Sequence, residues 1–160
     1  MNLNIFLVPK DIHFVPSPEA MSQVTEFLEA EIQDCVEFLE VDIAPRLFYI
    51  DEGDSFMPAI GCPVCNARIP AQGEHAGWVQ ALREALMANQ ELDLGSHRVT
   101  MPCCNQEAPV VGLDFGGHAG FGRFSITLEG ADIYEQEAAL MRKAEEILGC
   151  ELVKIELVST

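Results

Sequence analysis

Cys62-Pro63-Val64-Cys65-Asn66 is the segment with the most pointed chemistry in the chain. A Cys-x-x-Cys turn can direct two sulfurs at one metal, and Zn2+ takes four such ligands in a tetrahedron. The position after the second cysteine favours a residue that tolerates positive φ. Glycine is usual there and asparagine is the next best choice. An altered copy stands further along, at Met101-Pro102-Cys103-Cys104-Asn105. Proline aligns with proline, Cys104 with Cys65 and Asn105 with Asn66. Met101 takes the place of the first cysteine, and Cys103 fills the variable position. The thiol count is kept, with one sulfur moved along. The expected zinc ligands are therefore Cys62, Cys65, Cys103 and Cys104. His97 is the substitute if Cys103 turns away. Met101 is left out, because a thioether is a poor zinc ligand.

Other chemistry at these cysteines is less well supported. Cys-Pro-x-Cys also suits a redox pair at a helix N-terminus, where the helix lowers the thiol pKa. Pro70 and Gly73 speak against a helix beginning at Cys62. Simple buried thiols are the other alternative. A catalytic zinc keeps one position open, whereas four sulfurs close the site. No His-Glu-x-x-His is present, and no His-x-Glu with Pro-Cys-x-x-Cys. A structural zinc is the expectation.

The remaining signals are weak. Gly116-Gly117-His118-Ala119-Gly120-Phe121-Gly122-Arg123 could cradle an anion, but it lacks the strand, loop and helix of a phosphate loop. It is expected to be a flexible loop leading into a strand. An alternative function, an enzyme, would use His118, Arg123 and Asp114 around it. His13 and His75 carry no pattern, and Glu74-His75 is read as the start of a helix. Cys35 and Cys150 have no partner motif and read as small buried hydrophobes.

These side chains need a frame. Residues 3–8 read as a strand ended by Pro9. Ser17 and Pro18 then open a helix with Met21, Val24, Leu28 and Ile32 on one face. Residues 46–50 read as a second strand, stopped by a turn at 51–54, while residues 35–42 fit either a strand or a helix end. Phe124, Ile126 and Leu128 alternate with Ser125 and Thr127, as in a strand with one buried face. Asp132 resembles the cap of a helix, with Glu135 three residues on. Ile133, Leu140, Met141, Ala144, Ile147 and Leu148 form its apolar face, and Gly149 ends it. Val153, Ile155 and Leu157 make a last strand. Two βαβ units predict an α+β fold, a ferredoxin-like sandwich. The chain is read as a single domain over 1–160. A zinc-ribbon-like, zinc-binding insert would occupy about 55–120. Its helix would run from Ala76 to Asn89, with Trp78, Leu82, Leu86, Ala81 and Ala85 inward.

The 160 residues carry 26 acids against 9 bases, a formal charge of −17. Such a surface repels phosphate backbones, and no Lys/Arg cluster counters it, so direct nucleic-acid binding is not expected. A hydrophobic fraction of 49% and a charged fraction of 22% are those of a globular protein. No apolar run is long enough to span a membrane. Met1–Lys10 lacks the basic head of a secretory signal, so the thiols are expected in the reducing cytoplasm.

Cys62-Pro-Val-Cys65-Asn, Pro102-Cys103-Cys104-Asn and Gly120-Phe121-Gly122-Arg123-Phe124 together resemble a set of uncharacterised bacterial proteins. Those share a Cys-Pro-x-Cys … Pro-Cys-Cys pattern followed by a Gly-Phe-x-Arg-Phe strand. The resemblance covers roughly residues 45 to 130 and implies a bacterial, cytosolic zinc-binding protein. It implies no activity. The leading functional expectation is a non-enzymatic acidic module, stapled by zinc, that docks a protein partner as an adaptor or immunity protein does. Its charge suits a basic partner. A nucleic-acid mimic is the further alternative. Homo-oligomerisation is compatible with the chain, but nothing in it specifies an oligomer.

Overall fold

The computed structural model describes residues 2–51, 58–88 and 92–159. The architecture is mixed α+β, with three helices, an antiparallel four-stranded sheet and two small two-stranded sheets. The expected turn at 51–54 and the C-terminal residue of the expected second helix, Asn89, fall mostly outside the described residues.

Two compact units divide the chain, residues 1–45 with 122–160 and residues 46–121. The first is built on β1 (Asn2–Pro9), α1 (Pro18–Ile32), α3 (Glu137–Leu148) and β8 (Leu152–Ser159), with parts of β2 (Phe38–Asp51) and β7 (Ala119–Glu129). The sheet order is β2-β7-β1-β8, and β1 pairs antiparallel with both β7 and β8. Ile5 lies opposite Leu128 and Leu7 opposite Ile126, so one face of the sheet is lined with aliphatic side chains.

Helix α1 starts where its cap chemistry places it. The Ala20 amide donates to Ser17 Oγ at 3.1 Å, and Pro18 occupies the first turn. Val24, Leu28 and Ile32 are fully buried, as their spacing requires. They pack with Ile5, Leu7, Phe124, Ile126 and Leu128 of the sheet and Leu140, Ala144 and Leu148 of α3. Gly149 sits at φ +75° beyond α3, and its amide donates to the Glu145 carbonyl at 2.8 Å. An L side chain there carries the left-handed penalty. Gly149→Ala is expected to lower unfolding free energy by about 1 kcal/mol, read from denaturant midpoints at unchanged slope.

Several local expectations are corrected. Helix α3 begins at Glu137 and not at Asp132, because the Gln136 amide closes a turn onto the Ile133 carbonyl. The Asp132 amide is taken by the Cys35 carbonyl. Ile133 is buried in the core ahead of the helix, while Tyr134 is 91% exposed. Strand β2 runs from Phe38, absorbing residues that had fitted either a strand or a helix end, and continues through Pro45. Proline is tolerated because β2 is an edge strand of the four-stranded sheet. Its half-buried Leu39, Val41 and Ile43 repeat with period two and pack on the core. Cys35 and Cys150 are half-buried at the margin of that core, not enclosed. Burial, followed by the nearby Glu145 and Asp11 charges, pushes the Cys150 thiol up to about 11.

The second unit contains β3 (Ala59–Gly61), β4 (Arg68–Pro70), α2 (Ala76–Ala88), β5 (Arg98–Thr100) and β6 (Glu107–Pro109). In α2 the buried residues are Val79, Leu82 and Leu86. Trp78 is only half-buried and Ala81 and Ala85 are exposed, contrary to expectation. A stripe through Val79, Leu82 and Leu86 follows the helical i, i+3, i+7 rule, and Trp78 lies at its border. Tyr49, Phe115 and Phe121 form an aromatic triangle, with ring centroids 5.4 to 5.9 Å apart.

No helix among the described residues is long and apolar enough to cross a membrane.

Candidate metal centre

Each cysteine turn sits at the tip of a short hairpin. Strands β3 and β4 pair with Ala59 opposite Pro70, Ile60 opposite Ile69 and Gly61 opposite Arg68. Strands β5 and β6 repeat that register, with Arg98 opposite Pro109, Val99 opposite Ala108 and Thr100 opposite Glu107. Ile60, Ile69 and Ala108 point into the interior and anchor both hairpins.

The turns match bond for bond. The Cys62 amide donates to the Ala67 carbonyl at 2.8 Å, and the Asn66 amide to the Cys62 carbonyl at 3.0 Å. In the second turn the Met101 amide donates to the Gln106 carbonyl, and the Asn105 amide to the Met101 carbonyl, both at 2.9 Å. Asn66 has φ +62° and Asn105 has φ +60°, and they are the non-glycine residues with positive φ among the described residues. That conformation is why asparagine follows each second cysteine. The alignment read from the sequence is thus repeated in the backbone hydrogen bonding. Met101 occupies the position of Cys62 and, like it, is buried, at 0% against 3% exposure.

The first turn is also held from outside its hairpin. Gly61 exchanges backbone hydrogen bonds with Asp114, at 2.7 and 3.1 Å. A Cβ on Gly61 would meet the Asp114 Cβ at 2.9 Å, so only glycine permits that approach next to Cys62. Arg68 pairs with Asp114 across the same bridge at 3.2 Å.

The four sulfurs meet. Cys62, Cys65, Cys103 and Cys104 place their Sγ atoms within 4.8 Å of one another. Cys62 Sγ is 3.9 Å from Cys104 Sγ, and Cys65 Sγ is 3.3 Å from Cys103 Sγ. A tetrahedral Zn2+ with sulfurs at about 2.3 Å separates them by about 3.8 Å, so the cluster has the dimensions for one such ion. Cys103 turns toward the other sulfurs, and His97 is outside the group. Cys62 is buried, Cys104 half-buried, and Cys65 and Cys103 exposed.

The thiols are electrically unequal. Burial raises the Cys62 thiol, but the backbone amides of Cys65 and Val64 and the thiols of Cys103 and Cys65 outweigh it. They bring Cys62 down to about 7. Partial loss of hydration against the neighbouring sulfurs, then hydrogen bonding to Cys65, Cys62 and Cys104, pushes the exposed Cys103 up to about 12. The Gln106 amide favours the Cys104 thiolate, yet burial and the Cys62 sulfur leave that thiol raised. The Cys62 thiolate forms most readily, and its neighbourhood holds the Cys103 and Cys104 protons on. Four together require a cation to neutralise them.

Asp114, Arg123 and His118 are the residues of the enzyme alternative. Asp114 is engaged by Arg68 and by the Gly116 amide at 2.9 Å. Arg123 donates from Nε to the Ala44 carbonyl at 3.2 Å. The His118 amide closes a turn onto the Phe115 carbonyl. The glycine-rich segment is mostly not a loop: Ala119–Arg123 is the opening of β7, and only Gly116 and Gly117 adopt positive φ before it.

The sequence reading passed over one charged cluster. Asp51 has a side chain with 0% exposure, gripped at both oxygens by Arg83 Nε and Nη2 at 2.6 Å. Tyr49 donates its hydroxyl to Asp51 Oδ2 at 2.6 Å. Burial, then the Asp51 hydrogen bond and charge, push the Tyr49 hydroxyl well above its ordinary range. The Asp51 hydrogen bond likewise raises the Arg83 guanidinium. The available signal was position: Arg83 lies four residues after Val79 and three before Leu86, on the apolar stripe of α2.

What the residues define is an α+β protein carrying four clustered cysteines on two matching hairpins. No protein-family model, no curated protein and no solved structure matches the chain.

Proposed function

We propose that the four cysteines hold one structural Zn2+ and that the chain is a non-enzymatic, acidic protein-interaction module. The convergence of Cys62, Cys65, Cys103 and Cys104 carries the metal reading. Among the described residues the cluster is made of four sulfurs, a soft donor set that suits zinc over calcium or magnesium. All four coordination positions are filled by protein, which favours structure over catalysis. The sheet order β2-β7-β1-β8, with α1 and α3 contributing to one core, supports a ferredoxin-like sandwich. The matched hairpins support a zinc-ribbon-like insert. The formal charge of −17 favours a basic protein partner and disfavours nucleic acid. A cytoplasmic setting, and kinship with bacterial proteins that share the Cys-Pro-x-Cys … Pro-Cys-Cys pattern, agree with thiols kept available for metal.

Elemental analysis of protein purified without chelator is the first test. One zinc per chain is expected. Cys104→Ser loses it, because Cys104 holds a regular turn position, and Cys103→Ser weakens it. Metal-free protein, or zinc unaffected by Cys104→Ser, removes the site. A Cys62–Cys65 disulfide formed under mild oxidant without metal would put redox chemistry in its place.

A further inference from the structure

The two hairpins repeat each other in strand register, in turn hydrogen bonding and in the positive φ of Asn66 and Asn105. Their sulfurs do not repeat. The first hairpin presents Cys62 and Cys65 from the first and fourth positions of its turn. The second presents Cys104 from the fourth position, while the first is filled by buried Met101. The remaining sulfur comes from Cys103, the counterpart of Val64. Val64 is the outward tip of its turn and is 49% exposed. A side chain at that position points to solvent by default, and Cys103 is itself exposed although its sulfur lies 3.3 Å from Cys65 Sγ. Three ligands therefore stand where the hairpin framework puts them, and the fourth reaches the centre from the rim.

We propose that Cys103 is the exchangeable ligand of the centre, and that its departure leaves a three-sulfur zinc whose fourth position takes an external thiolate. The inference rests on the four-sulfur zinc proposed above. The exchange is balanced without oxidant. The incoming thiol gives its proton to the leaving Cys103 sulfur, its own sulfur bonds the zinc, and the charge of the centre is unchanged. Cys65 is as accessible as Cys103, but it occupies a regular turn position between Cys62 and Asn66, whose backbone bond closes around it. Access therefore does not separate the two, and ligand geometry does. The centre would then serve as a docking point for a soft donor, such as a cysteine thiol of a partner.

The test is limiting N-ethylmaleimide on the zinc-loaded protein, with peptide mapping of the modified cysteines and zinc measured in the same sample. Cys103 is expected to react first, about tenfold ahead of Cys65, the factor that 1.4 kcal/mol of weaker hold gives. Zinc should remain at one per chain after that first modification. First reaction at Cys65, Cys62 or Cys104, or loss of zinc with the first modification, overturns the inference and leaves the zinc itself standing. Protein that carries no zinc overturns both. A second variant reads the fourth position directly. Cys103→Val copies Val64, and its cobalt-loaded form should gain sulfur-to-metal charge-transfer absorption when 2-mercaptoethanol is added. An unchanged spectrum on that addition also overturns the inference.

Discussion

Chelation of the zinc-loaded protein is expected to unfold residues 46–121 while the core built on Leu28, Ile126 and Leu140 keeps its protection. Structural zinc sites contribute about 10–16 kcal/mol of apparent binding energy. A whole domain is stabilised by only about 5–15 kcal/mol. The second unit has buried residues of its own, but its cysteine-bearing hairpins are short. Its two hairpins have strands of three residues each, and isolated two-stranded hairpins are marginal in water. Both knuckles end in sulfurs that crowd one another, within 4.8 Å. Removing the ion takes away what joins the two tips, and leaves the first with only its Gly61–Asp114 pairing. The first unit differs, because its core draws on two long helices and three long strands that interlock at near-zero exposure. Hydrogen exchange with and without chelator is the measurement. Faster exchange confined to the amides of Cys62, Asn66, Met101 and Asn105 and their hairpins, spreading through α2, is the expected pattern. Equal loss of protection at Leu28 and Leu140 would mean the metal stabilises the whole chain. No change anywhere would mean it is not a staple at all.

The parts legible in the sequence were those governed by short-range rules. The two cysteine turns could be aligned because each residue has a local duty: proline to set the turn, cysteine to ligate, asparagine to take positive φ. The asparagine duty is visible in the observed φ of +62° and +60°, and the likeness of the two turns in their paired hydrogen bonds. Helix α1 was legible for the same reason, since Ser17, Pro18 and the spacing of Val24, Leu28 and Ile32 all act within the helix. The start of α3 was not. Asp132 and Glu135 satisfy a capping pattern locally, but the Asp132 amide is captured by Cys35, a partner distant in sequence. The inward face of α2 is set by Val79, Leu82 and Leu86, and not by the expected Trp78, Ala81 and Ala85. Strand β2 extends well beyond the expected 46–50, because its edge position lets it run through Pro45. For α3 and β2 the deciding contact lies in the fold and not in the segment.

The same reasoning explains why the Asp51–Arg83 pair escaped notice, and it makes that pair the second large prediction. Arg83→Met is expected to destabilise the second unit by about 3–5 kcal/mol. Asp51 is fully enclosed, so its carboxylate has no water to fall back on once the guanidinium is gone. Of the described hydrogen bonds to Asp51, the change removes the two charged ones from Arg83 and keeps the neutral one from Tyr49. Methionine retains most of the arginine stem volume, so the loss reports the stranded charge and not a cavity. Asp51→Asn with Arg83→Met should recover part of that loss, because an uncharged amide can keep the Tyr49 hydroxyl bonded at a lower desolvation cost. A double-mutant cycle from denaturant unfolding of the zinc-loaded forms measures this coupling directly. If the single Arg83→Met change costs less than about 1 kcal/mol, the pair behaves like a surface salt bridge and the enclosure of Asp51 is not maintained in solution. If the double variant is as damaged as the single ones summed, the two groups act independently, and the geometry of two 2.6 Å bonds to one carboxylate carries no cooperative hold on α2.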